Sequence, residues 1–311
     1  MTQNSSMHPL ARFLRCSSIL LLIGILCGCS VARLAYNNGE TVSYFWLNRY
    51  VDFDADQKPW VKKEIAALFA WHRQAQLKAI AETLGSVQKQ LENPVTEADV
   101  ETSYETARQY LRAVLERAAP AMADLALSLR EQQIENIASR FADNNEDFRK
   151  ERLRGDVAQR QEARYRRTLK SAQHWFGSFT AEQQREMRML SDARPLDEDA
   201  ELAERIARQE ALLGLLRAIR ADKPTRDTAI AMVREHVHRM LQPSADETRR
   251  DYFARYHSAT VHMVANIINN ATPQQRQHCI AEVQAWIDDV EKQSPPTRTT
   301  ALKSPLIPRL D

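Results

Sequence analysis

The sequence predicts an all-α protein, an elongated bundle of seven to nine helices with no sheet. Three observations carry that expectation. Apolar residues recur at steps of three and four, as in Leu77, Ile80, Leu84, Val87 and Leu91, which is one face of a helix. Ser or Thr stands three residues before an acid or amide at several points along the chain, a pattern that marks helix starts. Glycine is scarce, seven in 311 residues, and charged residues make up 27 %, a helix-forming composition. No segment alternates β-branched and polar residues for long enough to read as a strand.

The first element is not part of the bundle. Ile19 to Leu26 is an apolar run of eight residues, far short of the roughly 20 needed to span a bilayer. His8, Arg12 and Arg15 precede it and small residues follow, the layout of a secretory signal. The segment Leu26-Cys27-Gly28-Cys29 resembles the bacterial lipobox. That resemblance implies cleavage between Gly28 and Cys29, a diacylglyceryl thioether on Cys29 and acylation of the new amine. Residues 1–28 then form the signal peptide, and several acyl chains give stable anchoring where one is marginal. Ser30 follows the cysteine. By resemblance to enterobacterial sorting rules it points to the outer membrane, with the rest of the chain facing the periplasm.

Four cysteines stand at positions 16, 27, 29 and 279. Processing removes two and lipidates a third, so Cys279 remains alone and no internal disulfide is expected despite an oxidising compartment. Stability must come from packing, for which residues 29–293 are long enough. The formal charge of +2 gives no global polyelectrolyte character, and the envelope location argues for no nucleic-acid partner.

Within the domain, Asn37 to Glu40 reads as a polar spacer. Residues 36–71 hold nine of the 22 aromatics. A short helix packed on its neighbour through aromatic contacts is favoured there over a membrane-proximal belt. A long helix follows, capped by Asp56, carrying Pro59 in its first turn and ending at Asn93-Pro94. Later starts are placed at Thr96…Asp99, Ser128…Glu131, Thr180…Gln183, Ser244…Glu247 and Thr272…Gln275. Stops are placed at Gly177, Arg194-Pro195, Lys223-Pro224, Gln242-Pro243 and Asn269-Asn270. Pro120 is expected to kink or break the segment 96–142. Residues 294–311, with four prolines, read as a disordered tail.

Candidate sites are few. Asp52, Asp54 and Asp56 hold positions 1, 3 and 5 of a calcium loop, but Gln57 stands where Gly is needed and Lys63 where a bidentate Glu is needed. A turn and helix cap is the better reading. His72 continues the apolar face of Val61, Ile65 and Leu68 and reads as a core or edge histidine. His236 lies four residues from both Met232 and Met240. That set suits copper, yet Met fills helical cores routinely, and neither a metal nor a cofactor is expected. The segment 149–170 holds nine cations against three acids. Arg160, Arg164 and Arg167 define a candidate basic surface for anionic lipid or acidic polypeptide. The alternative is a helix face balanced by the acids from Asp197 to Glu204. No GxSxG, HExxH, P-loop, dinucleotide or CxxCH pattern occurs, so catalysis has no motif behind it.

Two resemblances add to this. The runs "LAYNN", "YVDFD..Q" and "WHR" at residues 34–38, 50–57 and 71–73 resemble the start of an uncharacterised proteobacterial lipoprotein family, a domain of unknown function. It would cover nearly the whole mature chain and implies a helical envelope lipoprotein with no known activity. "FTAEQ" and "ATPQQ", at Phe179–Gln183 and Ala271–Gln275, are similar to the LTxxQ repeat of small periplasmic chaperones of the Spy and CpxP type, which implies binding of unfolded clients. The expected function is therefore a non-enzymatic, outer-membrane-anchored lipoprotein that binds envelope components, partnered with the membrane through its lipid and with a protein or anionic lipid. A chaperone or stress adaptor is the sharper alternative. An envelope hydrolase with an unrecognised carboxylate site is the alternative of a different class.

Overall fold

Helix-forming sequence becomes eleven helices and no strand among the residues 38–294 that the structure, a computed structural model, describes. In chain order they are α1 Gly39–Val51, α2 Gln57–Ala75, α3 Leu77–Gln90, α4 Glu97–Ser128, α5 Glu131–Arg152 and α6 Val157–Phe176. There follow α7 Ala181–Ala193, α8 Glu198–Asp222, α9 Arg226–Met240, α10 Glu247–Asn269 and α11 Pro273–Gln293. The signal peptide, Gly28, Cys29 and the tail beyond Ser294 lie outside the described residues.

The all-α expectation holds. The count exceeds the expected seven to nine because the chain also breaks at Gln76 and between Arg152 and Val157, where Gly155 has φ 88°. The long helix divides at Gln76, whose φ of −121° leaves the helical region. Its buried amide donates to the Tyr110 carbonyl of α4 at 3.2 Å, and His72 Nδ1 lies 2.7 Å from its Oε1. The backbone ladder continues on both sides, Gln76 N to His72 O and Ile80 N to Gln76 O. The chain therefore bends here without unravelling. Pro120 does not break the helix. It sits inside the continuous 32-residue α4, and the break comes at Leu129-Arg130. A helical proline removes one hydrogen bond, and the apolar contacts of Ala119, Ala123 and Ala126, all nearly inaccessible, hold the helix across it.

The bend at Gln76 distributes one face between two apolar centres. In the first, Val61 and Ile65 of α2 meet Tyr44 and Val51 of α1, Ala119 to Ala126 of α4, Ile134 of α5, Ile219 of α8 and Val233 and Val237 of α9. In the second, Leu84 and Val87 of α3 pack on Trp175 and Phe176 of α6, Met187 of α7 and Cys279, Val283 and Ile287 of α11. A smaller contact joins Val95 and Val100, at the start of α4, to Val261 and Ala265 of α10. Burying a side chain of this size contributes about 1.5–3 kcal/mol, so these clusters supply the stability that disulfides do not.

Helix ends follow local chemistry where the chain is free to obey it. Thr96, Thr180 and Thr272 each form the expected capping box with Asp99, Gln183 and Gln275. Asp156 and Gln159 form another that fits the same pattern and was not foreseen. Asp56 stands at the N-cap of α2 without a side-chain cap bond. Two expected boxes are absent. Ser128 ends α4, and the N-cap of α5 is Arg130, whose N–H donates to Gln133 Oε1 at 3.0 Å. Ser244 leaves the capping of α10 to Asp246 and turns its hydroxyl to Glu204. Among the stops, Gly177 ends α6 with φ 76° and ψ −147°, a region essentially reserved for glycine.

Candidate functional site

The basic helix resolves into a buried joint rather than a surface. Arg164 is 5 % exposed. Its guanidinium donates to the Arg194 and Pro195 carbonyls at 3.1 and 2.8 Å, which holds the α7–α8 connection on α6. Arg160 pairs with Glu198 Oε2 at 3.0 Å, and Glu198 is itself buried. Arg167 reaches solvent. Crowding, then repulsion from Arg152, lowers its guanidinium to about 10, so it stays a cation at neutral pH. Arg160 and Arg164 are thus engaged inside the fold, Arg160 with an acid of α8 and Arg164 with the α7–α8 connection, while Arg167 is exposed.

Arg194 completes the joint. Buried itself, it donates to Thr168 Oγ1 at 3.1 Å, Ser191 Oγ at 3.2 Å and Tyr256 Oη at 3.3 Å, with its guanidinium 5.4 Å from the Tyr256 ring centre. Tyr252 donates to Glu201 Oε1 at 3.1 Å and accepts from the Asp197 N–H. Burial and the neighbouring Glu201 push its phenol well up. Burial likewise raises the Glu198 carboxyl, Glu201 adds to the rise, and the arginines at 160, 152 and 167 do not cancel it.

Six residues along α8, Glu204 is buried with the opposite balance. Arg208 Nε donates to Oε1 at 2.7 Å, while Ser244 Oγ and Arg249 Nε donate to Oε2 at 2.6 and 3.1 Å. Burial pushes this carboxyl up, but the hydrogen bonds and cations outweigh it and hold it below the ordinary range. Arg208 also donates to the Met240 carbonyl at 2.5 Å. Glu204 thus fastens α8 to the end of α9 and the start of α10. Sequence reading gave Arg194, Tyr252 and Tyr256 no role as joints and offered Glu204 only within an acidic stretch. The bonds by which they join helices span tens of residues, even though Ser191 and Arg208 are local partners of Arg194 and Glu204.

The motif glutamines are joints too. Gln183 and Gln275 donate to each other's Oε1 at 2.8 and 3.1 Å. Gln183 also reaches the Asn270 carbonyl at 2.9 Å, and Gln275 the Ser178 carbonyl at 2.6 Å. Phe179 and Ala271, the apolar first positions of the two repeats, are both buried in the second centre. Two helix N-termini are therefore clamped face to face. A second such clamp explains "YVDFD..Q". Asp52 turns the chain with φ 57°, Phe53 plugs the first centre at 2 % exposure, and Asp54 N donates to Gln57 Oε1. Gln133 Nε2 donates to the same Oε1 at 2.7 Å and to the Asp52 carbonyl at 3.2 Å.

Asp54 lies 3.0 Å from Arg130, and Asp52 is spent on the turn. Among the described residues no group of three His, Cys, Asp or Glu side chains stands ready for a metal. His236 is buried on α9, its ring pulled below the ordinary value by burial and then by Arg239. His72 is half-buried and lowered by burial against the Gln76 bond. A shallow, partly open hollow lined by Phe179, Met187, Leu190 and Ile267 has a volume of about 10 Å³, room for a single water. The broader hollow by Arg276 and Ile280 is open to solvent.

A feature of another kind lies on α1. Its inner face buries Tyr44 and Val51, while Phe45 and Trp46 are 64 % and 36 % exposed. The aromatic-rich segment thus packs as expected, except for this outward pair.

Buried ion pairs and amide clamps between helices, with apolar centres on either side, define an all-helical domain organised around helix-to-helix joints. The chain belongs to a family of unknown function, DUF6279, whose model matches residues 49–238, more than half of the 311. The match takes in the Phe53 turn and the Trp71-His72-Arg73 run, begins after the "LAYNN" stretch and stops before α10. It covers less of the chain than the resemblance implied. No curated protein matches the chain, and no solved structure does.

Proposed function

We propose that this protein is a lipoprotein of the bacterial outer membrane, held by acyl chains on Cys29, whose helical domain faces the periplasm and binds envelope components without catalysing a reaction. The observation that carries the reading is Leu26-Cys27-Gly28-Cys29 directly after eight apolar residues and a basic flank. None of the helices among the described residues is long and apolar enough to cross a membrane. What supports a structural and binding role is that charged groups of α6, α8 and α10 are engaged with one another as joints between helices.

Labelled palmitate supplied to cells expressing the full chain tests the anchor. The wild type should carry label and fractionate with outer membrane, and Cys29→Ser should remain an unlabelled precursor. A labelled Cys29→Ser protein would sink the proposal. Peptidoglycan digestion by the purified full chain would favour the hydrolase alternative. Suppression of client aggregation would favour the chaperone form of the binding role, whose support is the paired repeats at Thr180–Gln183 and Thr272–Gln275.

A further inference from the structure

We infer that the outer face of α1 is a membrane-contact surface: Phe45 and Trp46 enter the headgroup region of an anionic phospholipid bilayer, with Arg49 beside them on a lipid phosphate. This rests on the lipoprotein reading and adds an orientation to it. Five large apolar side chains are exposed among the described residues, Phe45, Trp46, Leu127, Val157 and Met189. Three sit singly on α4, α6 and α7, and isolated exposed apolar residues need no explanation. Phe45 and Trp46 are adjacent, and Thr41, Phe45 and Arg49 follow one another at one-turn spacing, all exposed.

The pair is held in place rather than loose. Trp46 rests on Tyr50 with ring centres 4.8 Å apart, and the Tyr50 hydroxyl accepts from Asn144 of α5 at 2.7 Å. Tyr50 also meets Phe141 edge-on at 5.9 Å. Behind them Tyr44 and Phe53 fill the core. Arg49 makes no ion pair among the described residues, so its charge is available to an anion. A large aromatic pair with a free cation on a rigid helix matches the chemistry of the bilayer interface, where Trp and aromatic rings concentrate and basic residues meet anionic lipid.

Chain length commits the surface to that occupant. Nine residues lie between Cys29 and Gly39 at the start of α1. Fully extended, the ten steps from one to the other reach about 35 Å at most. An acyl chain on Cys29 therefore keeps α1 within about one bilayer thickness of the lipid, where tethering raises the effective concentration of a weak contact. The acyl groups supply attachment and the aromatic pair supplies orientation, with α1 and α5 at the membrane.

The full chain, purified from membranes, would be reconstituted into phosphatidylethanolamine–phosphatidylglycerol vesicles whose acyl chains carry bromine near the headgroup. Tryptophan quenching is compared between wild type and Trp46→Phe, and the acylation state is read from the mass of the N-terminal peptide. The expected result is a quenched component in the wild type that Trp46→Phe removes, and that shrinks in Phe45→Ser and in vesicles without the anionic lipid. Acylated protein with no quenching assigned to Trp46 overturns the inference and leaves the anchor standing. If the mass shows no acyl group, the anchor reading fails, and quenching with added vesicles decides the surface by the same criterion. A photocrosslinker at position 45 that captures protein and no lipid in intact cells also overturns it. Both side chains being exposed, the variants should melt with the wild type, so a loss of quenching is not a loss of fold.

Discussion

Glu198 and Glu204 are two buried carboxylates on one helix whose replacement by Gln should have unequal effects. Glu204 uses both oxygens, for Arg208 on one and for Ser244 and Arg249 on the other, at 2.6 to 3.1 Å. A glutamine offers one acceptor oxygen and turns an NH2 group towards a second donor. At least one charge-assisted bond is lost, worth about 1.5–3 kcal/mol, and two donors are left opposed. The side chains of Arg208 and Arg249 are each 25 % exposed, so water recovers part of the loss, and we expect Glu204→Gln to cost about 2 kcal/mol. Glu198 makes a single bond, to Arg160, which an amide oxygen can accept. Its raised proton affinity also means that its charge is a burden at neutral pH. Glu198→Gln should fall within about 0.5 kcal/mol of wild type, as for a substitution that removes no essential contact. For a chain of this size the Glu204→Gln melting point should drop by roughly 4–8 °C.

Acid reverses the two contributions. Glu204 has a folded pKa below its unfolded value of 4.5. Its stabilisation is present above that value and disappears as pH falls through the folded one. Glu198 has a folded pKa above 4.5, so its ionised form costs stability above the folded value, and the cost vanishes on acidification. Urea unfolding followed by circular dichroism, from pH 7 down through the carboxylate range, reads both. The gap between wild type and Glu204→Gln should narrow below pH 4.5. Equal destabilisation by the two substitutions at pH 7, or a gap that widens in acid, would refute the assignment of Glu204 as the joint.

Three further outcomes are expected. Gly177→Ala should cost about 1–3 kcal/mol through backbone strain alone, since the added methyl would find only His278 Cδ2 at 3.9 Å; an unchanged melting curve would contradict it. Cys279 is buried in the second centre, and burial pushes its thiol up to about 12, so a bulky maleimide should not label the native protein, whereas it should label the protein in urea. Gln183→Ala and Gln275→Ala should each destabilise, but the double variant by less than their sum, because both break one amide exchange; a double-mutant cycle with additive costs would show that the clamp is not shared.

The family match at residues 49–238 takes in the runs "YVDFD..Q" and "WHR". Its physical content became visible only in the contacts, with Phe53 as a plug and Gln57 tied to Gln133 across 76 positions. The opposite happened with Arg160 and Arg164. Their spacing gave a stripe, and no rule of spacing says whether a charged stripe faces water or a neighbouring helix. The acids of α8 decided that, and the sequence offered them as the competing possibility.

What the chain determined by itself is what hydrogen bonds and periodicity fix within one turn. Helical state, the capping boxes at Thr96, Thr180 and Thr272, and the stops at Gly177 and Asn269-Asn270 depend on groups three or four residues apart, and such groups meet whatever the rest of the molecule does. Tertiary structure decided the bend at Gln76, the survival of α4 across Pro120, the diversion of Ser244 to Glu204 and the inward turn of Arg164. In each, a partner distant in sequence outbids a local preference worth about 1 kcal/mol. The buried Gln76 amide donates to the Tyr110 carbonyl on α4, Pro120 is held by apolar contacts on both sides, and Ser244 gives its hydroxyl to a buried carboxylate alongside Arg208 and Arg249. Burial makes an unmet polar group expensive, and burial is a property of the assembled fold.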